Sequence, residues 1–407
     1  MTSEILILTP SAVALAADSA VTVGNKKTYN GVNKLFMLSN NPPMGIMTYN
    51  LSHFSNVPLE TIIKEFRLEI KEEELNTVEE FRDKFKEYLE KLIKNPLHSY
   101  SFEEQLDDFI KQIKSESQYM DYSIFESIVK NVVSNVNFDD LHEYSDEIII
   151  NLKENENKFN ELIPDEIQED RRKNFLEDLK KFFVYNVYIE PFTGIVIAGF
   201  NKDRLFPSYI EFKITYLFDE KFILNELNQL NIKGNQVHVR PLAQDDVINT
   251  FLTSIDNGTE LELTRYVQNI YDDYSNKLKE AIANNSNLNP DEKKKFLNEI
   301  SKIDPFNKDL GNLFVKFINQ IKEDHANQLL ESISSLPKEE LSNLAESLIN
   351  ITSLKRKIGS DLETVGGPVD VAIITRGDGF IWTKRKHYFD ASLNPQFFDR
   401  WNLKHNI

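Results

Sequence analysis

The chain has 407 residues, 41% of them hydrophobic, a formal charge of −18 and no cysteine. That length allows two or three domains, or one domain carrying large insertions, with enough apolar residues for a sizeable core. Without cysteine there can be no disulfide, thiolate metal site or thiol nucleophile, and the composition fits a reducing cytoplasm. The negative balance also argues against a general nucleic-acid binder, which needs clustered positive charge.

The first twenty residues, MTSEILILTPSAVALAADSA, pose a choice between a secretory leader and a working N-terminus. A leader starts with positive charge and an unbroken apolar run. Here the first cation is Lys26, Glu4 is acidic, and Thr9-Pro10-Ser11 cuts the run in two. Two strand-length aliphatic segments around a turn signal predict a retained β-hairpin.

Short aliphatic segments continue to about residue 50 (AVTVG, KLFML and MGIMTY). From Pro58 the period changes: Leu59, Ile62, Ile63, Phe66 and Ile70 fall at helical spacing, and amphipathic helical sequence runs to about Lys181. Strand character returns in TGIVIAGF (193–200), YIEFKITYLF (209–218) and NQVHVRPL (235–242). A second helical block rich in Asn, Lys and Glu extends from about 245 to 357. Its last helix starts at Ser335-Leu336-Pro337 and carries Leu341, Leu344, Ala345, Leu348 and Ile349 on one face. VDVAIITRGDGFIW (369–382) then reads as a strand pair around a Gly-Asp-Gly turn.

Strands, helices, strands, helices, strands in that order predict an α+β protein of stacked antiparallel sheets covered by helices. The helical blocks are long for simple connections. They are expected as insertions, at about 75–180 and about 255–335, in a single domain spanning 1–407. No apolar run approaches the roughly 18 residues of a membrane span. The seven histidines are scattered and form no HExxH pattern, and neither GxGxxG nor a P-loop occurs, so no metal or other cofactor is expected.

Asp18 lies 16 residues after Thr2, and Lys34 lies 32 after it. In these offsets the N-terminal segment resembles a proteasome β subunit and the peptidase of the bacterial two-component ATP-dependent protease, both N-terminal-nucleophile hydrolases. Ser19-Ala20-Val21-Thr22 after the aspartate, Leu35-Phe36 after the lysine, and the closing segment 369–380 extend the likeness. The resemblance implies a four-layer αββα sandwich and a threonine peptidase whose nucleophile, Thr2, is exposed by removal of Met1.

The chemistry is consistent with that spacing. A threonine hydroxyl is a weak nucleophile that an adjacent amine can activate. A neighbouring lysine ammonium lowers the proton affinity of that amine, and Asp18 would hold Lys34 charged and in place. By the resemblance, the backbone N–H of Thr48 is the oxyanion donor and Asp361, with Thr364 nearby, supplies a supporting acid. The family's second serine has no match in Leu242–Asp246. Val21, Val32, Ile46 and Asn50 match the substrate pocket, and three of the four are apolar, which implies preference for an apolar side chain before the cleaved bond.

Three functions stay open: a cytoplasmic threonine peptidase, an amidohydrolase of the same superfamily acting on a small amide, and an inactive scaffold. The first takes a peptide or protein substrate, and leaves open a homo-oligomeric ring and an ATPase unfoldase as partners; neither nucleic acid nor membrane is expected to be a partner.

Overall fold

A computed structural model describes residues 3–23, 27–94, 100–117, 120–134, 136, 145–303, 306–358, 366–387 and 389–396. Among them are twelve α-helices and four antiparallel sheets, two of five strands and two of two. The chain forms two compact units. One comprises residues 1–243 and 338–407, the other residues 244–337.

The expected N-terminal hairpin is present. β1 (Ser3–Leu8) pairs with β2 (Val13–Ala17) from Glu4↔Ala17 to Leu8↔Val13. Its turn is closed by Thr9, whose amide donates to the Ala12 carbonyl at 2.9 Å while its hydroxyl accepts from the Ala12 amide at 3.2 Å. β13 (Asp370–Thr375) joins the other side of β2, β14 (Gly379–Lys384) extends the sheet, and β12 (His238–Ala243) flanks β1. β1, β2 and β13 are buried along their whole lengths. Aliphatic residues therefore occupy nearly every position, where a strand open on one face would alternate with polar ones.

The second large sheet runs β11-β10-β9-β6-β5. Its strands are β5 (Leu35–Asn40), β6 (Pro43–Asn50), β9 (Thr193–Gly199), β10 (Ser208–Tyr216) and β11 (Phe222–Asn231). β3 (Ala20–Val23) pairs with β4 (Lys27–Asn30), and β7 (His53–Phe54) with β8 (Val57–Pro58).

Three apolar clusters organise the first unit. Leu6, Leu8, Leu15, Met47, Val196 and Tyr209 form a core shared by the two five-stranded sheets. On the other face of the second sheet, Ile46, Ile195 and Phe212 pack with α1 (Leu59–Glu69) and α2 (Val78–Ile93). The helical spacing seen from Pro58 has this cause, since Leu59, Ile62, Ile63 and Phe66 are all buried there. α12 (Lys338–Ile358) packs against β1, β2 and β13 through Leu341, Ala345, Leu348 and Ile349.

The third cluster belongs to the stretch read as the first insertion. α3 (Phe102–Ser117), α4 (Tyr122–Val133), α5 (Ser145–Glu154), α6 (Glu156–Asn160) and α7 (Glu169–Val184) enclose an aromatic core. Phe183 is at its centre, in edge-on contact with Phe102, Phe109, Phe159 and Tyr188.

The second unit contains α8 (Asp246–Thr253), α9 (Asn257–Asn284), α10 (Pro290–Ile303) and α11 (Phe306–Ser334). α9 starts at Asp256, whose carboxylate accepts from the Thr259 amide at 3.0 Å, a conventional N-cap. α11 packs on α8 and α9, and Lys322 of α11 pairs with Glu260 of α9 at 2.5 Å.

Candidate active site

The hairpin returns Asp18, just past the end of β2, to the start of β1. The Asp18 amide donates to the Ser3 carbonyl at 3.1 Å, and the Ser3 amide donates to Asp18 Oδ1 at 3.3 Å. Oδ2 accepts from the Gly366 amide at 3.0 Å. Ser19 is tied to the same closing segment, its amide to the Gly366 carbonyl at 3.3 Å and its hydroxyl to the Pro368 carbonyl.

Lys34, immediately before β5, donates to Asp18 Oδ1 through Nζ. A second carboxylate, Glu4, stands 3.3 Å from the same ammonium. The side chains of Glu4 and Asp18 have no solvent exposure and that of Lys34 has 5%. Strand parity explains Glu4: it shares the inner face of β1 with Leu6 and Leu8, the face that meets the second sheet.

Beside Lys34 opens a cavity of about 240 Å³, lined by Val21, Val32, Lys34, Thr48 and Asn50 among others. At its edge Asn33 donates to Glu60 at 2.9 Å. Burial would raise the Glu60 carboxyl, but hydrogen bonds from Lys64 and Asn33 outweigh it and leave the group below its ordinary range. Asn50 ends β6 in a left-handed conformation, φ 65°.

Deeper between the sheets a second polar chain begins at Tyr49. Its hydroxyl donates to Glu211 at 2.8 Å, and the Glu211 carboxylate accepts two bonds from Arg240, at 3.0 and 3.2 Å. Burial and then the Glu211 charge push the Tyr49 phenol well above its ordinary value, so it stays a donor. Tyr209 stacks on His238 with its hydroxyl 3.0 Å from Nε2, and burial pushes its phenol up to about 12.

No protein-family profile and no curated protein matches this chain. Among solved structures similar to it is Anbu (ancestral beta-subunit) from Yersinia bercovieri, at 9% identity and a TM-score of 0.32, covering 99% of this chain and 96% of that one. An Anbu (Gly-1) mutant from Hyphomicrobium sp. strain MC1 matches at 8% identity and a TM-score of 0.32, over 100% and 97%. The solved structures it resembles thus include ancestral beta-subunits. A likeness of that strength decides neither chemistry nor substrate, and the residues above stand on their own geometry.

Of the residues singled out from sequence, the structure brings Asp18 and Lys34 into contact and places Val21, Val32, Thr48 and Asn50 around one cavity with Lys34. Ile46 is not among the lining residues. It is fully buried against α1 and α2, because β6 runs inward from the cavity toward the core. The Thr48 amide, expected as an oxyanion donor, donates to the Lys34 carbonyl at 2.9 Å and continues the β5–β6 ladder. That N–H is therefore already used in this structure. Thr2, Asp361 and Thr364 lie outside the described residues.

Sequence reasoning missed Glu4 as a site residue, along with the Tyr49–Glu211–Arg240 chain. The signal for Glu4 was a charged residue in phase with Leu6 and Leu8 of an aliphatic strand, a position that is buried only when a partner is present. No helix of the described residues is long and apolar enough to cross a membrane, and no group of three or more His, Cys, Asp or Glu among them could hold a metal ion.

Proposed function

We propose that the protein is an N-terminal-nucleophile amide hydrolase, a threonine peptidase whose Thr2, freed by removal of Met1, attacks the carbonyl of a peptide bond. The observation that carries this reading is Lys34, held by Asp18 and Glu4 next to Ser3, the residue that follows Thr2 in the chain. A buried ammonium fixed there lowers the proton affinity of a nearby α-amine, and a neutral α-amine can take the threonine proton as the hydroxyl attacks. The cavity beside Lys34 supplies the space for the residue before the cleaved bond, with Val21 and Val32 as its apolar wall.

The same reading takes the two shared-core sheets, with α1 and α2 on one and α12 on the other, as a four-layer αββα sandwich. It takes polypeptide as substrate, a homo-oligomeric ring fed by an ATPase unfoldase as the assembly, and the cytoplasm as the compartment. Asp361 is assigned the supporting acid of the site. With the Thr48 amide engaged by Lys34, the oxyanion donor needs either a local shift of β6 or a different N–H.

Intact-mass analysis before and after a threonine-directed β-lactone tests the reading. Loss of Met1 and one covalent adduct, absent in Thr2→Ala, is the expected result. A chain that keeps Met1, or forms no adduct, overturns it.

A further inference from the structure

The second unit, taken by itself, covers little of its own apolar surface. Of the 28 residues of α9 only Ser275 is buried, whereas α12, with 21, buries six. α9 and α11 run antiparallel: Gly311 lies beside Gln268 and Lys322 pairs with Glu260, so numbers rise along one helix as they fall along the other. The line that faces inward passes through Thr264, Tyr271 and Ser275 on α9 and through Phe314, Ile318 and Lys322 on α11, all buried or half-buried.

One residue before each of these stands an exposed apolar side chain: Leu263, Ile270 and Tyr274 on α9, Leu313, Phe317 and Ile321 on α11. A step of one residue is a turn of about 100°, taken in the same sense on both helices, and because the helices are antiparallel both lines come out on the same side of the pair. Tyr266 extends that face, and Tyr266, Ile270, Tyr274 and Phe317 are between 52% and 64% exposed. Seven large side chains about half exposed leave roughly 700 Å², more than a lone chain usually shows in one patch and close to the roughly 800 Å² that each partner gives to a stable interface.

The pattern on α9 selects the occupant. Tyr266 and Tyr274 each lie four residues from Ile270, so the line reads alike in both directions. A second α9 laid antiparallel on it sets Ile270 against Ile270 and Tyr266 against Tyr274, the self-complementarity that a two-fold contact requires. The same register brings Glu262 beside Lys277 of the other copy, so opposite charges meet at both ends. Lys277 also pairs with Asp273 of its own helix, at 2.6 Å, and an ammonium has donors for both. Tyrosine suits such a contact, with its ring buried and its hydroxyl at the wet rim.

We infer that this face is the contact between two copies of the chain, an isologous pairing of α9 with α9 centred on Ile270 and widened by α11. It differs from the head-to-tail contacts that close a ring, and it does not rest on the peptidase reading.

Light scattering behind size exclusion counts the chains per particle of the full-length protein. Ile270→Glu should halve that count and weaken association at least about 100-fold, since each copy then buries a carboxylate on the axis. Ile270→Lys should do the same, and an equimolar mixture of the two variants should restore the parent count, as like-with-like pairing at residue 270 demands. A variant particle with as many chains as the parent, or a mixture that stays halved, overturns the assignment. Because the chain has no cysteine, Ile270→Cys supplies a second readout. Mild oxidation should link it into disulfide-bonded pairs, while Asp272→Cys, two residues on and so on the far side of α9, should stay unlinked. Equal cross-linking at the two positions, or at neither, likewise overturns the pairing. The β-lactone adduct reports on Thr2 separately, so failure of the catalytic reading leaves this outcome untouched.

Discussion

Glu4 Oε1 lies 3.3 Å from Lys34 Nζ, so a single buried ammonium is shared by two buried carboxylates, Glu4 and Asp18. Removing the ammonium leaves both acids facing each other without it, and breaking a buried pair in this way costs roughly 3–5 kcal/mol. Lys34→Met should therefore be strongly destabilised in urea unfolding. Glu4→Gln, which leaves one acid for one base, should stay within about 1 kcal/mol of the parent. Adding Glu4→Gln to Lys34→Met should recover part of the loss, since the two changes share a partner. A double variant no more stable than Lys34→Met would show that the Glu4 carboxylate is not coupled to Lys34.

Gly194 stands opposite Tyr49 in the β6–β9 ladder, and a β-carbon added there would come within 2.0 Å of the tyrosine ring. The ring covers the glycine on the face between the sheets, which places the phenol on Glu211. Gly194→Ala should force Tyr49 aside, break that hydrogen bond and destabilise the protein by about 1–3 kcal/mol. Against a Tyr49→Leu background the same alanine should cost clearly less. Equal costs in the two backgrounds would mean that the glycine is needed for some other reason.

Much of this arrangement was legible in the sequence, and what was not has identifiable causes. The N-terminal hairpin showed because Thr9-Pro10-Ser11 interrupts two aliphatic runs, and α1 and α12 showed because their apolar residues keep helical spacing. β11 did not. FILNELNQLN has a buried start and a more exposed remainder, as an edge strand of the sheet does, and its polar residues hide the strand period. The contact between Asp18 and Lys34 could be expected from spacing in a familiar pattern. Glu4 could not, because none of the positions that carry the resemblance falls on it, and only the parity of β1 marks it as buried. Ile46 was grouped with the cavity by matching position, whereas the depth to which β6 enters the core depends on packing with α1 and α2.

His238 gives the pH behaviour of the interior a definite sign. Burial first, and the Arg240 charge next, lower its folded pKa below the ordinary value, and Glu211 offsets this only in part. A histidine with a depressed folded pKa contributes stability that is present above its unfolded pKa of about 6.5 and is lost progressively as pH falls below that toward the folded value. In that window the unfolded chain binds more protons. Urea midpoints should thus drop more between pH 7.5 and pH 5.5 in the parent than in His238→Gln. Parallel pH profiles would remove His238 as a contributor.

Val21 and Val32 line the cavity beside Lys34, while the cations and acids nearest it are already engaged: Lys34 with Asp18 and Glu4, and Glu60 with Asn33 and Lys64. A charged side chain entering there would lose water without gaining an unengaged partner from these groups, whereas an apolar one gains about 25 cal/mol for each Å² it buries. Fluorogenic peptides with Leu, Phe or Tyr before the leaving group should be cut at least about tenfold faster, by kcat/KM, than those with Arg or Asp. Val21→Asp should narrow that ratio by slowing the apolar substrates. Faster cleavage after Arg or Asp in the parent protein would mean that this cavity does not hold the residue before the cleaved bond.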